Sequence, residues 1–572
     1  MFWQDVQLSG QEVTVKETAM GEDIHINRRT VLQAGIAAVG ALAAGSISAA
    51  GSASQSSLTR LATAQDTPSA GGELIVGIAS KYIDVLDPNV TAQTVAHQVM
   101  APMFDTLIYQ DRDGTYHPGL ASEWEISADG LVYTFTLREG VTFHDDTPFD
   151  AEAAKANFER MISSEAKSRL AGPRLSGVYK SSEALNPTTL QITLETPSGS
   201  FIPDLSQNFM AMLSPTAVSE YGPDEIGRHP TGTGPFKLTE WVENSHVKME
   251  RNEAYAWASP MFKNQGTAYL DSITFRIVPE GGSRLAAFES GELNITEQVP
   301  TIDFARISED DKYTVYNVPQ PGVPYSYMIN TKLPPTDDLV VRQAINMAVD
   351  KQYVIDSLYQ GLYTPAYGPL SKVSFGYNPA VEELYPYDPE AAGQLLEDAG
   401  WVADSDGKRS KDGNPLEIIH YVFTDTLVAE SMQAELDVIG VTTNVTLLEV
   451  GAVNEAATNG DVTNLAPLPF RDADPAILSV ILSSENEGKG FAWTFHTNAE
   501  LDEELALGQS TTDPEERIAH YGNAQMIAME EALLIPIYDI SALWASLASV
   551  RDVSFDVKGT TPWFYDVWLQ ED

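Results

Sequence analysis

The residues that most often carry catalysis or bind metals are spread through this chain without the spacing that such chemistry needs. The sequence has no cysteine, and its nine histidines include no pair at i,i+2 or i,i+4, so a metal site would need ligands from distant segments. No Gly-x-Ser-x-Gly elbow, His-Glu-x-x-His motif or dinucleotide fingerprint is present. The sequence therefore predicts a protein that is not an enzyme and that has no cofactor and no metal site. A hydrolase is the remote alternative.

Several polar residues imitate functional motifs but are better explained as structural. His144 and His496 stand apart from other candidate ligands, which favours hydrogen-bonded structural roles over metal binding. The acidic pair Asp145–Asp146 is placed to cap or turn the chain rather than to act as an acid/base dyad. The run GTG at residues 232–234 lacks the Lys-Ser/Thr of a phosphate loop and is followed by Pro235, so it predicts a backbone turn.

Composition limits the function classes further. The 572 residues are too many for a single core, so two or three domains are expected. The formal net charge is −47, from 81 acidic and 34 basic residues. Such a surface repels phosphate backbones and anionic lipid, which argues against nucleic-acid binding. The same charge suits a protein kept soluble in high salt; a saline habitat and an ordinary extracellular setting are both open.

The N-terminal segment predicts export. Residues 27–33 read NRRTVLQ and resemble the twin-arginine export motif. Residues 34–50 form an uncharged Ala/Gly/Ile run of the length of a signal h-region, and small-residue cleavage sites end at Ala50 and at Ala64. Export is therefore expected, with a buried Ala-rich helix as the alternative. Because no cysteine is available for lipid attachment, the protein is either released or held by an uncleaved segment at residues 34–50.

The stretch at residues 325–351, YSYMINTKLPPTDDLVVRQAINMAVDK, sets the organisation of the chain. Its first six residues predict a strand, and Pro334 with Pro335 ends it. Thr336 or Asp337 is expected to cap an amphipathic helix that follows. Further along, strands alternate with helices, which is typical of an α/β lobe.

Three segments carry a family resemblance, and together they extend it over the chain from about residue 71 to the C-terminus. Residues 119–160 include GLASEWEISADGLVYTFTLREGVTFHDDTPFDA, residues 228–252 include PTGTGPFKLTEWVENSHVKMERN, and residues 325–351 are quoted above. These segments resemble the family 5 solute-binding proteins, the extracytoplasmic peptide-, glutathione- and nickel-binding proteins of ABC importers. The first segment departs from the family pattern at Asp146, where glycine is usual, and this position lies in a predicted turn.

The resemblance also indicates where a ligand would bind. Residues 469–475, PFRDADP, resemble a cleft loop in which peptide-binding members place an aspartate that holds the peptide amine; here that position is Arg471, followed by Asp472. The departure counts against an ordinary peptide with a free amine, and a guanidinium suits a carboxylate or phosphate. An Arg471 paired with Asp472 or Asp474 is the alternative. Tyr82 and Trp493 are further candidates, with surface packing and core packing as their respective alternatives.

The implied fold class is α/β, a two-lobed periplasmic-binding-protein-like fold (type II, cluster C-like) with an extra subdomain in the first lobe. The expected division is signal and linker at residues 1–64, first lobe at 65–324, second lobe at 325–533, and a return to the first lobe at 534–572. The implied function is capture of an oligopeptide or similar polar solute between the lobes and its delivery to an ABC permease with its ATPase. The expected partners are this ligand and these membrane subunits, with no nucleic acid, and the protein is expected to be a monomer. Oligosaccharide, glutathione-like or chelated-metal ligands and a sensory receptor role are the alternatives.

Overall fold

The computed structural model of the chain describes residues 13–15, 24–26 and 67–571. The chain divides into two compact units, Met1–Asp66 and Thr67–Asp572. In the first unit, strands Val13–Val15 and Ile24–Ile26 pair antiparallel. The predicted export motif and the apolar run at residues 34–50 lie outside the described residues.

The first lobe is built around a seven-stranded sheet. Its strands, in spatial order, are Phe236–Val242, His246–Arg251, Ser272–Ile277, Glu73–Ile78, Ile295–Thr296, Ser541–Leu547 and Tyr313–Pro319. The central strand Glu73–Ile78 runs parallel to both of its neighbours, and its side chains Leu74, Val76 and Ile78 are fully buried. The helices of this lobe are Thr94–Met100, Ala151–Ile162, Ala171–Leu175, Phe201–Leu205, Pro215–Glu225, Gly281–Glu289 and Thr301–Ser308.

A four-stranded antiparallel sheet forms the extra subdomain of this lobe. Its strands, in spatial order, are Ala121–Ile126, Val132–Leu137, Thr189–Leu194 and Tyr179–Asn186. Helix Ala151–Ile162 packs on this sheet, and Asp150 caps the helix by accepting the Ala153 N–H at 2.9 Å. Its buried side chains belong to the same hydrophobic core as those of the seven-stranded sheet, so the subdomain is part of the first lobe.

The second lobe is built around a six-stranded sheet. Its strands, in spatial order, are Thr364–Pro365, Leu534–Asp539, Tyr325–Ile329, Leu465–Pro467, Glu417–Val422 and Thr442–Leu447. The neighbouring strands Tyr325–Ile329 and Leu534–Asp539 are buried throughout. The helices of this lobe are Leu339–Ala348, Lys351–Tyr359, Pro389–Asp398, Thr426–Val438, Val450–Asn459, Ile477–Leu482, Ala499–Ser510 and Pro514–Glu530.

The remaining strands are short and form small separate sheets. They are Ile108–Gln110 with Tyr116–Pro118, Gly322–Val323 with Phe470–Arg471, Val402–Ala403 with Arg409–Lys411 and Asn414–Pro415, Val550–Arg551 with Trp568–Leu569, and Ser554–Phe555 with Pro562–Trp563.

The chain passes between the two sheets twice. It leaves the first sheet after Tyr313–Pro319 and enters the second at Tyr325–Ile329; it returns between Leu534–Asp539 and Ser541–Leu547. The strand at 534–539 thus pairs within the second sheet, and the return follows it.

One predicted helix cap was wrong. Helix Leu339–Ala348 begins after Asp338, whose carboxylate accepts the Val340 N–H at 3.1 Å. The predicted caps Thr336 and Asp337 lie before this position; the Thr336 hydroxyl instead donates to the Asn330 carbonyl at 2.6 Å and accepts the Asn464 side-chain amide at 2.9 Å. The turn that follows Pro335 is therefore longer than expected.

Candidate ligand-binding cleft

A cleft lies between the two lobes. Its larger compartment has a volume of about 760 Å³, and first-lobe residues such as Ser80 and Glu297 face second-lobe residues such as Asp425 and Tyr538 across it. A smaller compartment of about 300 Å³ adjoins it, since Arg471 lines both. These volumes fall in the range of small-molecule sites, roughly 300–1,000 Å³.

Local backbone geometry fixes Arg471 at the junction of the compartments. Strand Phe470–Arg471 pairs antiparallel with Gly322–Val323, with Arg471 opposite Gly322. Gly322 has φ +110°, and a Cβ there would lie 2.3 Å from the Phe470 carbonyl oxygen, so only glycine allows this approach. The Arg471 Nε–H donates to the Gln320 side-chain oxygen.

The Arg471 guanidinium has no carboxylate partner among the described residues. Its side chain is exposed to solvent in the cleft, and partial desolvation by the protein around it lowers its pKa. Asp472 pairs with Arg174 of the first lobe. Asp474 pairs with Arg517 through bonds of 2.8 and 3.0 Å. The alternative in which Asp472 or Asp474 neutralises Arg471 is therefore wrong.

A group of tyrosines forms one wall of the larger compartment. Tyr325 and Tyr538 stack with ring centroids 4.9 Å apart, and Tyr363 stacks on Tyr538 at 5.0 Å. The Tyr538 hydroxyl donates to the Asp425 carboxylate at 3.1 Å. Burial raises the pKa of Asp425. Sequence reasoning missed Asp425 because an aspartate just before a helix is most simply read as a cap.

Other carboxylates in the cleft are satisfied by the protein. Glu297 accepts the Ala79 N–H at 2.5 Å and the Gln98 side-chain amide at 3.2 Å. In the smaller compartment, Asp556 accepts the N–H groups of Thr560 and Thr561 at 2.8 and 2.9 Å. These two carboxylates therefore hold the cleft walls together.

Two aromatic candidates lie outside the lining of both compartments. Tyr82 is 56% exposed on the first lobe, where its carbonyl accepts the Gln93 side-chain amide at 3.0 Å. Trp493 is only 2% exposed and belongs to a core of the second lobe. Its indole N–H donates to the Gly490 carbonyl at 2.8 Å. Trp493 therefore packs in a core of the second lobe, as its alternative interpretation predicted.

Of the two histidines singled out from the sequence, only His144 has the predicted hydrogen bond. His496 Nε2 is buried without a hydrogen-bond partner among the described residues and lies 3.9 Å from the Glu531 carboxylate. His144 Nε2 lies 3.0 Å from the Gly234 carbonyl oxygen, and burial lowers the pKa of His144 to about 4. Within the described part of the chain, no three His, Asp or Glu side chains are grouped so that they could hold a metal ion. In that same part, every helix is too short or too polar to cross a membrane.

Comparison with known proteins places the chain in a family. The family model described as bacterial extracellular solute-binding proteins, family 5, middle, matches residues 115–486, more than half of the chain. The chain belongs to family 5 of the bacterial extracellular solute-binding proteins. Among the relatives of this family 5 protein is the glutathione-binding protein GsiB of Salmonella typhimurium, 31% identical over 480 residues that cover 82% of this chain and 89% of GsiB.

Solved structures agree with this assignment. DppA of Helicobacter pylori, an ABC transporter-associated periplasmic binding protein in complex with the peptide STSA, matches with a TM-score of 0.71 and 25% identity over 88% of this chain and 99% of DppA. NikA of Brucella suis in complex with Fe(III)-EDTA matches with a TM-score of 0.77 and 26% identity over 87% of this chain and 100% of NikA. The predicted family and two-lobed fold are confirmed. This family 5 protein is the extracytoplasmic substrate-binding component of an ABC import system.

Proposed function

We propose that the protein captures a small peptide-like solute that carries a carboxylate, and that Arg471 binds this carboxylate. One observation carries the proposal: Arg471 is the cation at the junction of both compartments, and no protein carboxylate pairs with it in the described chain. Lys558 lines the smaller compartment and adds positive charge there. A relative, GsiB, is named for glutathione, a peptide-like acid.

Arg471 is exposed in the cleft, and closure of the lobes on a ligand would exclude water from it. A charge taken out of water without a counter-charge is unfavourable. A ligand carboxylate would supply that counter-charge, and the guanidinium fork can donate two parallel hydrogen bonds to it. An ammonium group at this position would meet like charge. The proposal therefore favours acids over free amines at Arg471.

The direct test begins with mass spectrometry of compounds that co-purify with the exported protein. Calorimetry then compares the recovered compound with glutathione, mixed tripeptides and Fe(III)-EDTA. Arg471→Ala should weaken carboxylate binding about 10- to 150-fold, the value of a charge-assisted hydrogen bond, and Arg471→Lys should lose less. Arg306→Ala is the control, since Arg306 is exposed and pairs with Glu289 and Asp303. Unchanged affinity in Arg471→Ala would refute the proposal.

Export through the twin-arginine pathway and a monomeric state also belong to this proposal. The paired arginines at residues 28 and 29 before the apolar run support twin-arginine export. N-terminal sequencing of the exported protein separates cleavage after Ala50 or Ala64 from retention by an intact segment. Light scattering of the exported protein tests the monomer. A permease gene and an ATPase gene beside this one would favour transport over a sensory role.

A further inference from the structure

The larger compartment contains a second charge without a partner, opposite in sign to Arg471. Asp425 lies at the start of helix Thr426–Val438 and makes no ion pair among the described residues. Its backbone has φ +46°, and its side chain does not cap the helix. It accepts the Tyr538 hydroxyl instead. The carboxylate is thus positioned by the tyrosine wall and not by its own helix.

Asp425 and Arg471 share surroundings without neutralising each other. Tyr363 and Tyr538 interact electrostatically with both charges, and both residues line the larger compartment. The two side chains nevertheless form no ion pair. One cavity therefore presents a separate anion and a separate cation beside the same aromatic rings.

We propose that Asp425 binds an ammonium group of the solute while Arg471 binds its carboxylate, so that the cleft selects solutes carrying both groups. This inference rests on the proposed function and deepens it. The expected ligand class is a small peptide-like acid with a free primary amine. The ring of Tyr363, which lines the larger compartment, adds a favourable environment for the ammonium group, since aromatic rings attract cations.

The other acidic groups of the cleft do not compete for this role. Glu297 accepts a protein N–H at each oxygen. Asp556 accepts two backbone N–H groups at Oδ1 and the Thr560 hydroxyl at Oδ2. Asp425 accepts only uncharged phenol groups. A hydrogen bond from a phenol leaves a carboxylate charged, so its attraction for a cation remains. Asp425 is thus the carboxylate of the larger compartment that a ligand ammonium can approach.

The test uses defined probes: a mixed tripeptide library, its N-acetylated counterpart, glutathione and N-acetylglutathione. Retention on the wild-type protein is read by mass spectrometry, and affinities of retained probes by calorimetry. We expect the free-amine probes to bind at least about tenfold more tightly than the acetylated ones, a difference that a charge-assisted hydrogen bond supplies. Asp425→Asn keeps an acceptor for Tyr538 and removes the charge, so it should abolish this preference while the acetylated probes bind as before.

The outcomes separate the two proposals. Equal retention of free and acetylated probes on the wild type would overturn the role of Asp425 and leave the carboxylate proposal standing. Equal weakening of both probe types in Asp425→Asn would assign Asp425 a purely structural role and also overturn it. If none of the probes is retained, both proposals fall. Asp437→Asn is the matched control, because Asp437 lies on the same helix and pairs with Lys408 outside the cleft.

Discussion

An ion pair between the lobes should contribute to ligand affinity although it lies outside the cleft. Arg174 of the first lobe pairs with Asp472 of the second, and it also lies 3.3 Å from Asp204 of its own lobe. A second link joins the same regions, since the Gly199 N–H donates to the Gln509 carbonyl at 2.8 Å. Closure of two lobes around a ligand is the motion expected of this fold. Contacts that exist only when the lobes meet stabilise the closed form.

The variant Asp472→Asn isolates this contribution. It removes the charge that crosses between the lobes, leaves Arg174 3.3 Å from Asp204, and keeps an acceptor for the Asp474 N–H, which lies 3.1 Å from Asp472 Oδ1 in the wild type. The side chains of Arg174 and Asp472 are 28% and 13% exposed. The pair therefore lies between a surface pair, worth about 0–1 kcal/mol, and a buried one, whose disruption costs about 3–5 kcal/mol. We expect a loss of about 1–2 kcal/mol from the closed form, a factor of about 5–30.

The assay is calorimetry with the compound recovered from the purified protein. Because apparent affinity scales with the population of the closed form, binding to Asp472→Asn should weaken by this factor, and the melting temperature without ligand should change little. Asp303→Asn serves as the control, since Asp303 pairs with Arg306 within one lobe. If Asp472→Asn binds as tightly as the wild type, or if both variants lose affinity equally, the pair does not stabilise closure.

Three further predictions concern stability. Burial raises the pKa of Asp204 from 3.8 to about 7, so between these pH values the folded chain holds a proton that the unfolded chain has released. The free energy of unfolding should therefore fall as pH rises from about 4 to about 7. Denaturant titrations should show this fall in the wild type and a smaller fall in Asp204→Asn, which cannot titrate at this position. Trp493→Ala should lower the unfolding free energy by about 3–5 kcal/mol and leave the ligand affinity of the folded protein unchanged; an affinity loss with stability intact would contradict the core role. Asp146 has φ +63°, so Asp146→Gly should be neutral or raise the melting temperature, and a clear decrease would show that its side chain is needed.

Elements with a strong local signal were predictable from the sequence. The sequence predicts a helix at residues 151–161 capped by Asp150 and a strand at residues 131–137, and the structure has Ala151–Ile162 and Val132–Leu137. Both depend on neighbouring residues: a capping aspartate, an Asp-Gly turn and regular apolar spacing. The apolar pattern at residues 95–109 also predicts a helix, and this prediction was too long. The α-helix ends at Met100 and a 3-10 turn continues it to Met103, whereas Ile108–Gln110 pairs as a strand with Tyr116–Pro118, a contact that helical periodicity cannot reveal.

The candidate site was predictable only where a recognisable loop marked it. Arg471 stands out because it replaces an expected aspartate in such a loop. Asp425 carries no comparable signal: it reaches the cleft through Tyr538, a strand residue more than a hundred positions later that donates to it. Trp493 illustrates the converse, because an aromatic residue suits a core and a binding wall equally well. Tertiary packing, which the sequence pattern does not show, decides whether Asp425 and Trp493 reach the cleft.

The isolation of Arg471 follows from the backbone of its own loop. Arg471 ends a short strand paired with Gly322–Val323, and successive side chains of an extended chain point to opposite sides. Asp472 therefore points away from Arg471, toward Arg174, and Asp474 is held by Arg517 with both side chains 5% exposed. Each neighbouring carboxylate already has its own arginine. A loop with two aspartates next to an arginine thus leaves that arginine without a carboxylate partner in the described chain, which the composition of the loop alone would not suggest.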